Sequence, residues 1–289
     1  MPNRLDKPAA PHDAVIPTAD QAVSPYVAPA DELAPKDLVA LRFIDPLRWL
    51  ALGARDLGEH IGIGIFYGLC FWTMALTIAA VFRARPEYVM SIASGCLLIG
   101  PFLAMGLYDV SRRRELGLTP RLASSLTCWD SHIPSLALLV LVLIVLELLW
   151  GRASLVVFAV FFNTGMPSTT GVLEAVLDPQ NWEFLTVYGL VGGAFAAIVF
   201  SISVVSIPMI LDRDTDAISA AITSIQVVAK NTAVMAFWGA LIVASVVLAL
   251  FPWGLGLLLL GPWLGHASWH AYRGSVRWPA VPSAVEQGP

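Results

Sequence analysis

Polar side chains that can titrate or bind a cation recur where the long apolar stretches of this sequence begin or end. The most prominent are His60, Asp109, His132, Asp212, His266 and His270. His266 and His270 are four residues apart, so a helix places them on one face with the spacing of a metal-binding pair. Without a third ligand the pair does not define a metal site, and we predict none. Helix ends that meet water at a membrane interface are the simpler explanation, and a role in handling a substrate or a proton is the alternative.

These six residues could act together if the apolar stretches form one helix bundle. Equivalent positions of a repeated unit then fall at the same depth and form a polar cluster near one face of the membrane. Neutral histidine titrates at about pH 6.5, so such a cluster could bind a cation or respond to pH. We predict that at least two of the six side chains lie within hydrogen-bonding or shared-water distance of each other.

Glu147 is a different kind of candidate, because it interrupts the continuous apolar run LLVLVLIVLELLW. An ionisable residue inside a membrane span is a functional-site hypothesis by default. We place this candidate intramembrane acid near the outer end of a span at 133–150, where Arg152 or water can reach it. Structural pairing is therefore the competing explanation.

The composition excludes an ordinary soluble domain. Of the 289 residues, 57% are hydrophobic and only 13% are charged, about half the charged fraction of a soluble protein. Cys70, Cys96 and Cys128 form no close-spaced pair. The sequence contains no nucleophile elbow, phosphate loop, zinc-protease motif or basic nucleic-acid patch. We therefore expect a membrane protein that is not an enzyme, binds no cofactor and has no nucleic-acid partner.

Six apolar segments have the length that a bilayer crossing requires, about 20 residues. We predict spans at about 61–82, 88–109, 133–150, 182–211, 232–251 and 253–272. Amphipathic helices precede the first, third and fifth spans, with apolar stripes that include Leu47, Leu122 and Ile218. The predicted fold class is an all-α, polytopic membrane helix bundle: six transmembrane helices form three hairpin repeats, each preceded by a cytoplasmic amphipathic helix.

The cations are distributed unevenly between the two sides of this arrangement. Fourteen of the seventeen Lys and Arg residues fall on the side of the termini and the amphipathic helices. The other side carries Arg83, Arg85 and Arg152. Because positive residues favour the cytoplasm, we predict an N-in, C-in protein whose polar cluster lies at the cytoplasmic face.

The predicted domain organisation has three parts. Residues 1–40 contain seven prolines and cannot bury enough apolar surface to offset their conformational entropy, so they are expected to be a disordered tail. Residues 41–273 form the six-helix membrane domain, and residues 274–289 form a flexible tail. Residues 152–163, between the third and fourth spans, are either a re-entrant piece or a helix extension.

Small residues predict where the spans pack against neighbours. Gly189, Gly193, Ala197 and Ser201 recur every four positions on the fourth span, and Gly261 and Gly265 do so on the sixth. Such ridges let two helix backbones approach closely.

Several motifs together resemble one known family. They are Pro46-Leu47-Arg48-Trp49-Leu50, Tyr67-Gly68, Gly100-Pro101, Gly106-Leu107-Tyr108, Ser206-Ile207-Pro208-Met209, Asp212-Arg213-Asp214, Asn231, Trp238-Gly239, Gly265-His266-Ala267 and Trp269-His270. Over residues 42–273 the chain resembles domain-of-unknown-function family 2189, a group of uncharacterised bacterial predicted integral membrane proteins. The resemblance implies an inner-membrane location and assigns no catalytic or binding residue.

Three functions fit these observations. We favour a non-enzymatic helper or scaffold that sits in the lipid bilayer and presents its amphipathic helices to partners, among them other membrane proteins. The alternative is a transporter or small-molecule-binding membrane protein, with a cavity where Pro101, Pro208 and Pro262 kink spans two, four and six. A haem or quinone redox subunit is a further alternative.

Overall fold

The computed structural model describes residues 36–85, 89–162, 181–251 and 253–278. Helices account for 84% of it, which confirms the all-α class. Most of the two predicted tails, at 1–40 and 274–289, lies outside the described residues.

The described chain is a succession of helices closed by one short strand pair. The helices are α1 (Asp45–Glu59), α2 (Ile61–Ala84), α3 (Val89–Glu115), α4 (Leu122–Leu126), α5 (Ile133–Phe161), α6 (Trp182–Ser203), α7 (Ser206–Arg213), α8 (Ala217–Lys230), α9 (Thr232–Leu250) and α10 (Leu257–Ser275). A short 3-10 helix at Asp130–His132 precedes α5. Strands β1 (Asp37–Leu38) and β2 (Val276–Arg277) pair antiparallel.

Four stretches of the described chain are helical, long and apolar enough to cross a bilayer. They are Ile61–Ala84, Leu122–Phe161, Trp182–Arg213 and Thr232–Leu250. They correspond to the predicted spans one, three, four and five. The helices predicted as spans two and six are α3 and α10, which have 27 and 19 residues and each contain a proline and a basic last turn. The count of six spans stays a prediction.

The three predicted hairpin repeats are unequal in the structure. α1 and α8 have 15 and 14 residues, but α4 has only five. The second predicted apolar stripe, from Leu122 to Ile133, is divided among α4, the 3-10 helix and the start of α5. The second amphipathic element is therefore not a regular helix like the other two.

The third predicted span continues well beyond its predicted end at residue 150. α5 runs without interruption from Ile133 to Phe161, so residues 152–161 are a helix extension. Fourteen residues separate Glu147 from each end of this helix. Glu147 is therefore central in α5, and its position near the outer end of a membrane span stays a prediction.

The apolar stripe of α8 faces away from the rest of the chain, whereas that of α1 does so only in part, because its Leu57 is buried. α1 buries Trp49, Gly53 and Asp56, whereas Leu47 of the predicted stripe is 47% exposed. In α8 the stripe residue Ile218 is 63% exposed. An outward apolar stripe is the arrangement expected of a helix that lies in a bilayer interface.

The core is built from the amphipathic helices and the adjoining ends of the longer helices. Its largest fully buried side chains include Trp238, Trp269, Tyr67, Tyr272, Met105, Met209 and Met235. By contrast, only 11% of the apolar 18-residue window of α2 and 22% of that of α9 is buried within the chain. The buried polar groups described below therefore lie at one end of the helix assembly.

The strand pair brings the two ends of the described chain together. Asp37 pairs with Arg277 and Leu38 with Val276, although the predicted tails include all four residues. Asn231, between α8 and α9, fixes the segment that follows β1: its Oδ1 accepts from the backbone N–H of Leu41 at 2.8 Å. The tail boundaries at residues 40 and 274 therefore cut into the ordered structure, because this pairing depends on contacts between distant parts of the sequence.

Candidate functional site

Two histidines of α10 meet an aspartate of α1 and a serine of α3 in the core. Asp56 is fully buried, and its Oδ2 accepts hydrogen bonds from Ser111 Oγ at 2.6 Å and from His270 Nε2 at 2.9 Å. Ser111 Oγ also lies 2.8 Å from Nδ1 of His266, which is fully buried as well. The four side chains form one continuous hydrogen-bonded chain.

The charge on Asp56 fixes the direction of these hydrogen bonds. Burial opposes its ionisation, but the hydrogen bonds from His270 and Ser111 outweigh that cost, so the pKa of Asp56 lies below its ordinary value. The carboxylate takes the single hydroxyl proton of Ser111, and the serine oxygen then accepts from Nδ1–H of His266. The other ring nitrogen of His266, Nε2, is an unprotonated acceptor with no hydrogen-bond partner among the described residues.

Arg114 of α3 closes this chain on its outer side. Its guanidinium is ion-paired with Asp56 and with Glu59 of α1, and its Nη2 donates to Glu59 Oε1 at 2.7 Å. The hydrogen bonds from Arg114 and, secondly, from Arg55 hold the pKa of Glu59 below its ordinary value. Because Glu59 and Arg55 are exposed, their pair contributes little stability, and the ion pair of Arg114 with the buried Asp56 is the important one.

A second group of charges extends the network to the end of α7. Glu115 lies 3.6 Å from Nδ1 of His270 and accepts a hydrogen bond from Arg273 Nε at 3.1 Å. Arg273 also lies 3.6 Å from Asp212, whose Oδ2 accepts from the Tyr272 hydroxyl at 2.7 Å. His270 and Asp212, both predicted from the sequence, therefore belong to one ionic network that joins α1, α3, α7 and α10.

The remaining predicted residues have surroundings of their own. His132 lies 3.6 Å from Asp214, and the buried Asp109 accepts a hydrogen bond from Arg113 Nε at 2.6 Å. Nδ1 of His60 is buried without a hydrogen-bond partner in the part of the chain that the structure describes.

No hydrogen bond or ion pair in the described ranges joins two of the six predicted residues directly. His266 and His270 are instead connected through Ser111 and Asp56, neither of which the sequence analysis singles out as a site residue. The structure thus links three of the six, the third being Asp212, through side chains of other helices.

The serine, histidine and aspartate of this network do not have the arrangement of a hydrolase. In a serine hydrolase the serine gives its proton to the histidine, whereas Ser111 gives its proton to Asp56 and accepts from His266. Ser111 is also fully buried, so a substrate cannot reach its oxygen. Among the residues that the structure describes, no group of three His, Cys, Asp or Glu side chains is placed to hold a metal ion. The arrangement suits the fastening of α1 to the ends of α3 and α10.

The sequence contains a signal for Asp56 that the search for apolar stripes overlooks. Trp49, Gly53 and Asp56 follow one another at steps of four and three residues, so they share one face of α1. An aromatic residue and a glycine on that face indicate close packing, and the aspartate beside them is therefore a candidate for burial.

Glu147 lies in a separate feature, an open cavity of about 520 Å³. The lining residues are Ile78, Cys96, Gly100, Pro101, Ala104, Leu143, Glu147, Val199, Ser203 and Ile207. They belong to α2, α3, α5, α6 and α7, so this cavity adjoins the predicted spans two and four but not span six. A cavity between spans two, four and six stays a prediction. Neither a hydrogen bond nor an ion pair to Glu147 occurs within the described residues, and Arg152 is exposed and unpaired with it.

Comparison with known proteins confirms the family resemblance over the middle of the chain. Residues 89–212 match the model of domain-of-unknown-function family 2189, described as a predicted integral membrane protein. The match includes Ser111, Arg114, Glu147 and Asp212, and it ends before the two histidines of α10. No curated protein and no solved structure gives a significant match. The middle of the chain is thus similar to a family of predicted integral membrane proteins.

Proposed function

We propose that this predicted integral membrane protein crosses the bacterial inner membrane six times, with both termini in the cytoplasm. Two observations support the proposal: the bias of fourteen cations against three, and the strand pair that holds the two ends of the described chain side by side. With α3 and α10 added to the four apolar stretches, the ionic network lies at the cytoplasmic ends of the helices.

Reporter fusions test this topology. An alkaline phosphatase fused after Arg85 is expected to be active, and a green fluorescent protein fused after Arg114 is expected to fluoresce, because each reporter works on only one side of the membrane. The reciprocal fusions serve as controls and should be silent. Active phosphatase after Arg114 would place the loop at 112–121 outside the cell and refute the arrangement.

The function that we propose is that of a non-enzymatic helper or scaffold within the membrane. The observation that carries it is the sparse burial of the apolar helices within the chain, 11% for the window of α2, which leaves wide helix faces for lipid or for partner helices. On α6, a methyl group added at Gly189 or at Gly193 would meet no described atom within 4 Å. Small residues on an outward face are suited to a partner helix.

Isoleucine at both Gly189 and Gly193 is expected to abolish most of the association with partners without loss of folding, because neither position packs against the described chain. The measurement is the mass of the tagged protein extracted in native lipid particles. Gly62→Ile is the matched control, since Gly62 is another helical glycine with no described neighbour within 4 Å. A wild-type protein that is monomeric in native lipid would count against the scaffold function.

A second candidate function is a transporter or small-molecule-binding membrane protein. The cavity around Glu147 favours it, because an unpaired acid in an apolar pocket at the middle of a long helix is typical of ligand and ion pathways. The two functions depend on different residues. Substitutions at the outer face of α6 should impair a scaffold, whereas substitution of Glu147 should impair a small-molecule-binding protein.

A further inference from the structure

The position of Glu147 makes its carboxyl group costly unless a partner neutralises it. Fourteen residues on either side correspond to about 21 Å of helix in each direction, so the side chain lies at the middle of α5. No described residue forms an ion pair with it. A carboxylate in hydrocarbon is unfavourable unless it is paired with a cation or protonated.

Two other polar side chains line the cavity, namely Ser203 and the free thiol of Cys96, which is only a weak donor. Ser203 donates its hydroxyl proton to the carbonyl oxygen of Val199 at 2.8 Å, so its own oxygen is left to accept. A ligand that satisfies both Glu147 and the Ser203 oxygen must bring donors of its own.

The size and walls of the cavity restrict the ligand further. A volume of about 520 Å³ falls within the range of pockets that hold drug-sized molecules. A bare divalent cation such as calcium usually takes about six to eight oxygen ligands, whereas the side chains of the lining supply one carboxylate and one hydroxyl oxygen. Leu143, Val199 and Ile207 instead offer apolar surface to a hydrocarbon group.

We propose that this cavity is a binding site for a lipophilic amine, held by an ion pair between its ammonium group and Glu147. The apolar part of the amine fills the space between α3, α5 and α6. The inference rests on the second candidate function, and it adds the chemical class of the ligand.

The test uses the full-length protein in lipid nanodiscs and a matched pair of fluorescent probes. Dansylcadaverine carries a primary ammonium group, and its N-acetyl derivative has the same apolar body without the charge. The amine is expected to bind saturably and at least about tenfold more tightly than the acetylated probe, because a hydrogen bond to a charged group contributes about 1.5–3 kcal/mol. Empty nanodiscs correct for partition into lipid.

Three variants locate the interaction. Glu147→Gln is expected to reduce the affinity for the amine to that for the acetylated probe, and Glu147→Asp should retain part of the preference. Glu183→Gln, at an exposed acid in the first turn of α6, should leave binding unchanged. Thermal unfolding of each variant verifies that it is folded.

Two results would contradict the proposed binding of an amine at Glu147. Equal binding of both probes, or a preference for the amine that survives Glu147→Gln, would overturn the ammonium–Glu147 pair while leaving a small-molecule-binding protein possible. The absence of saturable binding by either probe would overturn both this inference and the second candidate function.

Discussion

Replacement of Asp56 by alanine is expected to lower the free energy of unfolding by about 3–5 kcal/mol, the cost of removing one partner from a buried ion pair. The substitution leaves the guanidinium of Arg114 without its buried partner. It also removes the acceptor for the Ser111 hydroxyl and for Nε2 of His270. These groups are buried or partly buried, so water cannot fully replace the lost carboxylate.

The measurement is reversible unfolding in mixed micelles by titration with sodium dodecyl sulfate, followed by tryptophan fluorescence. Asp130→Ala is the control, because Asp130 is exposed and its loss should change stability by less than about 0.5 kcal/mol. Asp56→Asn, which keeps the shape but not the charge, should fall between the two. If Asp56→Ala unfolds at the same detergent fraction as Asp130→Ala, the network does not fasten α1 to the other helices.

The positions of the helices were largely predictable from the sequence. The predicted first span, 61–82, corresponds to the helix Ile61–Ala84, and the predicted fifth span, 232–251, corresponds to the helix Thr232–Leu250. Apolar length and flanking charges suffice for this, because backbone groups in hydrocarbon must be satisfied within a helix. The third span was underestimated, since Gly151 and Arg152 looked like an end although the apolar pattern continues to Phe161.

The rotation of each helix about its axis was not predictable in the same way. In a soluble protein an apolar stripe faces the core, but lipid is as apolar as a protein core, so the stripe alone does not identify the buried side. Leu47 and Ile218 are therefore exposed, whereas Asp56 is buried. The spacing of His266 and His270 therefore indicated the buried end of α10. The apolar stripe of α1 gave no indication that Asp56 is their partner.

The close approach predicted for two ridges of small residues is found within the described chain for one of them. A methyl group at Gly265 would lie 2.5 Å from a side-chain carbon of Leu107, as the predicted packing of span six requires. On α6, Gly189 and Gly193 have no described neighbour within 4 Å, so that ridge does not pack within the described chain. The spacing identifies a face on which a helix can be approached, and it does not say whether the partner is part of the same chain.

Gly53→Ala is expected to destabilise the protein by about 1–3 kcal/mol, the usual cost of overpacking, because α1 lies against the backbone of α10 at this residue. A methyl group at Gly53 would lie 2.6 Å from the backbone nitrogen and 2.9 Å from Cα of Ala267. A backbone cannot move aside as a flexible side chain does, so the two helices must separate. Asp56 is one turn further along α1, and the same displacement lengthens its hydrogen bond to His270.

Gly58→Ala provides the matched control on the same helix, since a methyl group there meets no described atom within 4 Å. Alanine favours a helix over glycine by about 1 kcal/mol, so this substitution is expected to be neutral or stabilising. Both variants are compared by the same detergent titration, and the ultraviolet absorbance of the purified proteins verifies equal amounts. Both substitutions replace a glycine of α1 by alanine. Their opposite expected effects on stability therefore follow from the contact of Gly53 with Ala267. If both substitutions stabilise the protein equally, α1 does not approach α10 at Gly53, and the geometry that brings Asp56 to His270 would be wrong as well.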